Sequence, residues 1–109
     1  MSVTLPQPFL DLVACRLQAI AEPTRIRLLT LLEQREATVQ ELTDELTTTH
    51  QNVSKHLGVL RHAGIVTRRK AGNKVWYALA DYSACRLIEQ ATASATGYVE
   101  ELAGIVGID

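Results

Sequence analysis

Between Val39 and Leu79 the apolar residues change their spacing once, abruptly, and few folds accommodate the change. Val39 to Ala63 reads as a helix, a tight turn and a second helix. Thr38 and Glu41 form a capping box, with the acid three residues after the threonine. Val39, Leu42 and Leu46 then recur at helical steps over two or three turns. Thr47, Thr48 and Thr49 are poor helix interior and good turn and cap material. A further helix is predicted from about His50 to Ala63, stopped by Gly64. After Gly64 the period becomes two. The stretches "IVTRRK" and "KVWYAL" are β-branched and aromatic, and "AGN" between them accepts positive φ. Val75, Tyr77 and Leu79 fall on one face of the resulting hairpin.

The flanks are helical. Phe9, Val13, Leu17 and Ile20 predict a first helix, and "EPTRIRLLTLLEQ" restarts it with Pro23 in the first turn. Asp81 or Ser83 caps a long last helix carrying Ala84, Ile88, Ala91, Ala95, Tyr98, Leu102 and Ile105. A two-stranded hairpin is marginal alone, so it must dock on the helices. The expected fold is mainly α with a small β-hairpin, a winged helix-turn-helix. It forms one domain over residues 1–109, with the third and fourth helices as the helix-turn-helix.

Charge supplies the first functional clue. From Leu46 to Ala80 there is no Asp or Glu, while Lys55, Arg61, Arg68, Arg69, Lys70 and Lys74 give +6. The remainder carries five basic against twelve acidic residues, so the net −1 conceals a concentrated basic segment. Such a segment is the footprint of polyanion binding. No apolar run approaches the ~18 residues of a membrane span, and no secretory signal is legible at the start, which together point to the cytoplasm. Cys15 and Cys85 form neither a disulfide framework nor a zinc knuckle. No nucleophile–base pair, phosphate loop or carboxylate pair suggests an enzyme.

On a helical wheel Val53, Leu57 and Leu60 face the core. Gln51, Lys55, Gly58 and His62 lie opposite, flanked by His50, Ser54 and Arg61. Amide and cationic side chains on one outward face can read base edges in a major groove. The candidate DNA contacts are Thr49, His50, Gln51, Asn52, Ser54, Lys55 and Arg61. The hairpin adds Arg68, Arg69, Lys70, Asn73 and Lys74, lying along the backbone or reaching the minor groove. His50, His56 and His62 stand six residues apart, roughly 240° per step on a helix. They cannot form one metal site on that helix. His56, at the edge of the core stripe, reads as a partly buried histidine with a satisfied hydrogen bond.

The strings "IAEPTRIRLLTLL", "VQELTDEL" and "VSKHLGVLRHAGIVTRRKAGNKVWYAL" resemble the winged-helix repressors of the arsenic-repressor (ArsR/SmtB) family. The resemblance runs from about Leu17 to Ala95 and is most specific at Ser54-Lys55-His56-Leu57, Leu60-Arg61 and Ala63-Gly64. It implies a homodimer built from the first and last helices, bound to double-stranded operator DNA and released by an effector. The family's thiophilic-metal motif matches Thr38 and Gln40 here, so it is absent. Its other metal site matches Asp81, Ser83, Ser94 and Gly97, of which only Asp81 is a good ligand. A transition metal as effector therefore has no complete family site. Asp81, Cys15 and Cys85 remain the candidate effector residues, through an irregular metal site or a thiol switch. The family's Gly-Arg wing tip is Gly72-Asn73-Lys74 here, leaving the tip charge to Lys74. The rival readings are a winged-helix docking module and a DNA binder with no ligand of its own.

Overall fold

The structure, a computed structural model, describes residues 4–107. The elements are α1 (Gln7–Ile20), α2 (Pro23–Gln34), β1 (Ala37–Thr38), α3 (Val39–Leu46), α4 (His50–His62), β2 (Val66–Ala71), β3 (Lys74–Leu79) and α5 (Ser83–Val106). This is the winged helix-turn-helix expected from the sequence. The outermost residues of the expected 1–109 domain, 1–3 and 108–109, lie outside the described residues.

Local chemistry sets most boundaries. Thr38 Oγ1 accepts from Glu41 N, and Glu41 Oε1 accepts from Thr38 N at 2.9 Å, so both arms of the capping box are made. Glu22 caps α2 through its carboxylate to Arg25 N. Thr47 ends α3 in the left-handed region at φ 52°, and Thr49 caps α4 by accepting from Asn52 N at 3.1 Å. Gly64, at φ 76°, then turns the chain out of α4.

The sheet has three strands, not the two expected, in the order β1-β3-β2 and antiparallel throughout. The added strand is the pair Ala37–Thr38, which bonds to Tyr77 and Trp76. It ties the entry of α3 to the wing and gives β3 a neighbour on each side. The hairpin turn is Gly72-Asn73, with Gly72 at φ 65° in the position that primed turns reserve for glycine.

The core lies under α4. Leu28, Leu29, Val53, Leu57, Leu60 and Ile65 are completely buried, with Leu32, Leu42 and Val66 nearly so. The helical stripe of α1 behaves differently: Phe9, Val13 and Leu17 are exposed and only Ala19 and Ile20 are buried. Along α5 burial stops after Cys85, and Tyr98, Val99, Leu102 and Ile105 stand in solvent. The radius of gyration is 16.9 Å, against about 13 Å for a compact domain of this length. The excess comes from helices that extend past the core. Exposed apolar stripes on two helices of one chain mark an interaction surface.

Candidate nucleic-acid interface

Burial sorts the residues of α4 as the wheel predicts. Val53, His56, Leu57 and Leu60 are buried. His50, Gln51, Lys55, Gly58, Arg61 and His62 are exposed. No carboxylate lies on this helix, so Lys55 and Arg61 keep their charge undiluted on the outward face. Asn52 and Ser54 are half-buried, and the Asn52 amide donates to Thr48 Oγ1 at 3.2 Å. Thr49 has its hydroxyl committed to the helix cap. Of the seven candidates from Thr49 to Arg61, His50, Gln51, Lys55 and Arg61 present exposed side chains that bond to no other side chain among the described residues, and Ser54 does so from a half-buried position. Thr49 and Asn52 shape the helix start.

The wing divides its cations between two faces. Alternation along β2 puts Arg68 and Lys70 on the side of Tyr77 and Val75, and Arg69 on the side of Trp76. Arg68, Asn73 and Lys74 line a groove that also includes His50 at the start of α4. The wing and the start of α4 therefore border one groove, which Val39, Glu41, Val75 and Tyr77 also line. Arg69 is occupied elsewhere. Its Nη2 lies 2.5 Å from Glu36 Oε1 and its Nε 3.2 Å from Oε2. Its guanidinium also sits 5.8 Å from the Trp76 ring centroid, with Lys74 Nζ 6.0 Å from the same ring. The two-pronged bond from Arg69 holds the Glu36 carboxyl below its usual range.

Two arginines that sequence reasoning passed over hold this surface from behind. Arg25 donates through Nε to Ala19 O at 2.6 Å and lies 3.0 Å from His56 Nδ1. Glu22 Oε2 is 3.6 Å from the same ring nitrogen. His56 is thus the satisfied, buried histidine that the sequence suggested. Arg16 reaches from α1 to Ala63 O at 2.6 Å and to Asp81 Oδ2 at 2.5 Å. Arg16 is the only cation on α1, a signal that the sequence offered.

The candidate effector residues are dispersed. Asp81 Oδ1 accepts from the hydroxyl and the N–H of Ser83, and Oδ2 accepts from Arg16 Nη2. The Ser83 hydroxyl first, and Arg16 with it, hold the Asp81 carboxyl below its usual range. Both oxygens are engaged and a guanidinium stands where a metal cation would approach. Thr38, Gln40, Ser83, Ser94 and Gly97 supply no strong transition-metal ligand. Among the described residues no three His, Cys, Asp or Glu gather as a metal site. The family's metal does not fit this donor set. Cys15 is exposed beside α4, in a groove with Lys55 and His62, whereas Cys85 is buried with Sγ 3.9 Å from Leu29 O. No helix of the described residues is long and apolar enough to cross a membrane.

Comparison with known proteins gives the same picture. A helix-turn-helix domain family matches residues 20–69. The chain is 37% identical over 90 residues to the HTH-type transcriptional repressor SmtB of Mycobacterium tuberculosis, a match covering 83% of this chain and 67% of that protein. It superposes on the homodimeric winged helix-turn-helix DNA-binding domain of a Mycobacterium bovis protein with TM-score 0.76 and 26% identity, covering 93% and 95% of the two chains. The transcriptional repressor BigR from Xylella fastidiosa gives TM-score 0.67 and 31% identity over 73% of this chain and 82% of that one.

Proposed function

Because this chain belongs to the ArsR/SmtB family of winged-helix regulators, we propose that it is a homodimeric transcriptional repressor of duplex operator DNA. The family regulates transcription by binding DNA and is not enzymatic. The observation that carries the reading is the outward face of α4, which is exposed, polar and free of carboxylates, with His50 at its start sharing a groove with Arg68 and Lys74 of the wing. In this reading α4 enters the major groove, with Gln51 and Lys55 near its N-terminus at the base edges. Arg61, Arg68, Lys70 and Lys74 hold phosphates and set the register. The exposed apolar stripes of α1 and α5 close the dimer, which places two reading helices on a two-fold operator.

An effector releases the protein from DNA in this reading. The family's metal donors are missing, so the signal enters by another route. Cys15 is the exposed thiol beside the reading helix. Titrating zinc, nickel, cadmium and a peroxide against the DNA complex separates a responsive regulator from a constitutive binder.

The deciding experiment is binding to the protein's own promoter DNA over a salt series. Affinity should fall steeply with salt, because each neutralised phosphate releases counterions. A flat salt dependence, or no binding to its own promoter, would instead favour a protein-docking role for the fold.

A further inference from the structure

Arg16 grips the wing at both of its roots. The chain leaves α4 at Ala63 and returns to α5 through Asp81, and the whole β2–β3 hairpin lies between. One guanidinium on α1 donates to the Ala63 carbonyl through Nη1 and to the Asp81 carboxylate through Nη2. The two roots are also tied to each other, since Ile65 O accepts from Ala80 N at 2.9 Å and Asp81 N at 3.3 Å. A Cβ on Gly64 would sit 3.5 Å from Arg16 Nη1, so the turn itself packs against the arginine. Ala63 O belongs to the last turn of α4, where the carbonyls of a helix lack partners and carry partial negative charge. Asp81, in turn, holds the first N–H of α5 through Ser83. A single side chain thereby joins α1, the end of α4, the base of the wing and the start of α5.

We propose that Arg16 is the positioning residue that sets the angle of reading helix and wing against the α1–α5 platform, and with it the half-site spacing that the dimer accepts. This rests on the DNA reading given above. A bidentate guanidinium is planar and holds two acceptors in fixed relation, which a lysine cannot do. Arg16 spends Nη1 on Ala63 O and Nη2 on Asp81 Oδ2 and is not among the side chains assigned to the nucleic acid. Its loss should leave the phosphate contacts in place and disturb only their relative placement in the dimer.

The test is anisotropy titration of wild type, Arg16→Gln, Arg16→Lys and Asp81→Asn against the promoter site, a random duplex and operators with the half-site spacing changed a base pair at a time. Half-sites of such dimers lie about one helical turn apart, so small changes in spacing are read as energy. Wild type should prefer one spacing. Arg16→Gln should lose about tenfold on that operator, within the range by which residues that do not touch a ligand modulate its binding, and should no longer discriminate spacings. Its affinity for random duplex and its salt slope should match wild type. Asp81→Asn, which keeps the Ala63 bond, should relax the spacing preference partially. Arg16→Lys should resemble Arg16→Gln in spacing, although it keeps the charge. A merely structural arginine would lower the melting temperature and leave spacing selectivity intact, and that result overturns the proposal. Should Arg16→Gln fail to fold, Asp81→Asn decides alone, and wild-type selectivity in it overturns the proposal equally. Wild type without preference for any duplex would overturn the DNA reading itself, a distinct outcome.

Discussion

Arg69 and Glu36 face each other across the edge of the sheet in a two-pronged ion pair, 2.5 Å and 3.2 Å. Among the described residues the neighbouring Arg68 has no such ion pair, and it borders the groove at the start of α4 that Glu41 also lines. Adjacent arginines on one strand thus have opposite assignments. Arg68→Ala should lower the slope of log affinity against log salt by about one. Arg69→Ala should leave that slope near the wild-type value, since Glu36 already neutralises it. Equal slope losses in the two variants would return Arg69 to the DNA face.

Gly58 sits inside α4 on its outward face, and a Cβ there would meet nothing within 4 Å. Glycine in a helix interior costs roughly 0.5–1 kcal/mol relative to alanine. Gly58→Ala should therefore raise the melting temperature by about 4 °C. The same methyl group should weaken operator binding several-fold, because it keeps the helix backbone away from the groove floor. Calorimetry and anisotropy on one preparation check both signs. Higher stability with unchanged affinity would show that nothing approaches the backbone at Gly58.

Local chemistry was readable in the sequence and distant pairing was not. The capping box at Thr38 and Glu41, the stop at Gly64 and the hairpin around Gly72 each depend on residues within four positions of one another. The buried face of α4 followed from its period, including the buried His56 at its edge. Strand β1 escaped notice because two residues, Ala37 and Thr38, cannot show an alternation. Arg16 escaped because its partners lie 47 and 65 positions away, and no periodicity links them. The same reason hid the pairing of Arg69 with Glu36, 33 positions apart. In the basic segment, charge counting credits every cation to the nucleic acid. Only the fold reveals which ones are already neutralised.

Leu17 on α1 and Leu87 on α5 are both about half exposed, and they line one apolar groove with Ile26 and Ala91. A charge in that groove would be buried without a partner in a dimer. Leu87→Glu should yield a monomer by light scattering, with the melting profile of an intact fold. Operator affinity should fall by about two orders of magnitude, since the second half-site no longer binds at high effective concentration. A Leu87→Glu variant that remains dimeric would move the dimer interface elsewhere.

Acid should weaken the fold through its capped and paired carboxylates. Asp81 is held low first by the Ser83 hydroxyl, Glu41 first by the Thr38 N–H, and Glu36 by Arg69. A carboxyl whose folded pKa is depressed contributes stability above its unfolded value, near 4. That contribution is lost as pH falls through the lower folded value. The melting temperature should thus be flat above about pH 5 and fall below about pH 4. Asp81→Asn should be less stable at neutral pH and show a shallower acid limb. An acid limb identical to wild type would remove Asp81 from the set.

The two thiols should differ sharply in reactivity. Burial, and then the nearby carboxylates of Glu33, Glu89 and Asp81, push the Cys85 thiol up. It therefore stays protonated through neutral pH, and the thiolate is the reactive form. A raised folded pKa means that its contribution to stability holds below the unfolded value of about 8.5 and is lost as pH rises further. Cys15 is exposed on α1. At pH 7.5 Ellman's reagent should titrate Cys15 rapidly in the native protein and Cys85 only after denaturant is added. Cys15→Ser should abolish the fast phase, and Cys85→Ser should leave it unchanged. Treatment with peroxide should leave no bond between the two cysteines in a non-reducing mass spectrum, because Cys85 points at Leu29 O inside the core while Cys15 lines the α1–α4 groove. Recovery of a Cys15–Cys85 disulfide, together with release of DNA, would instead establish a thiol switch that requires α5 to open.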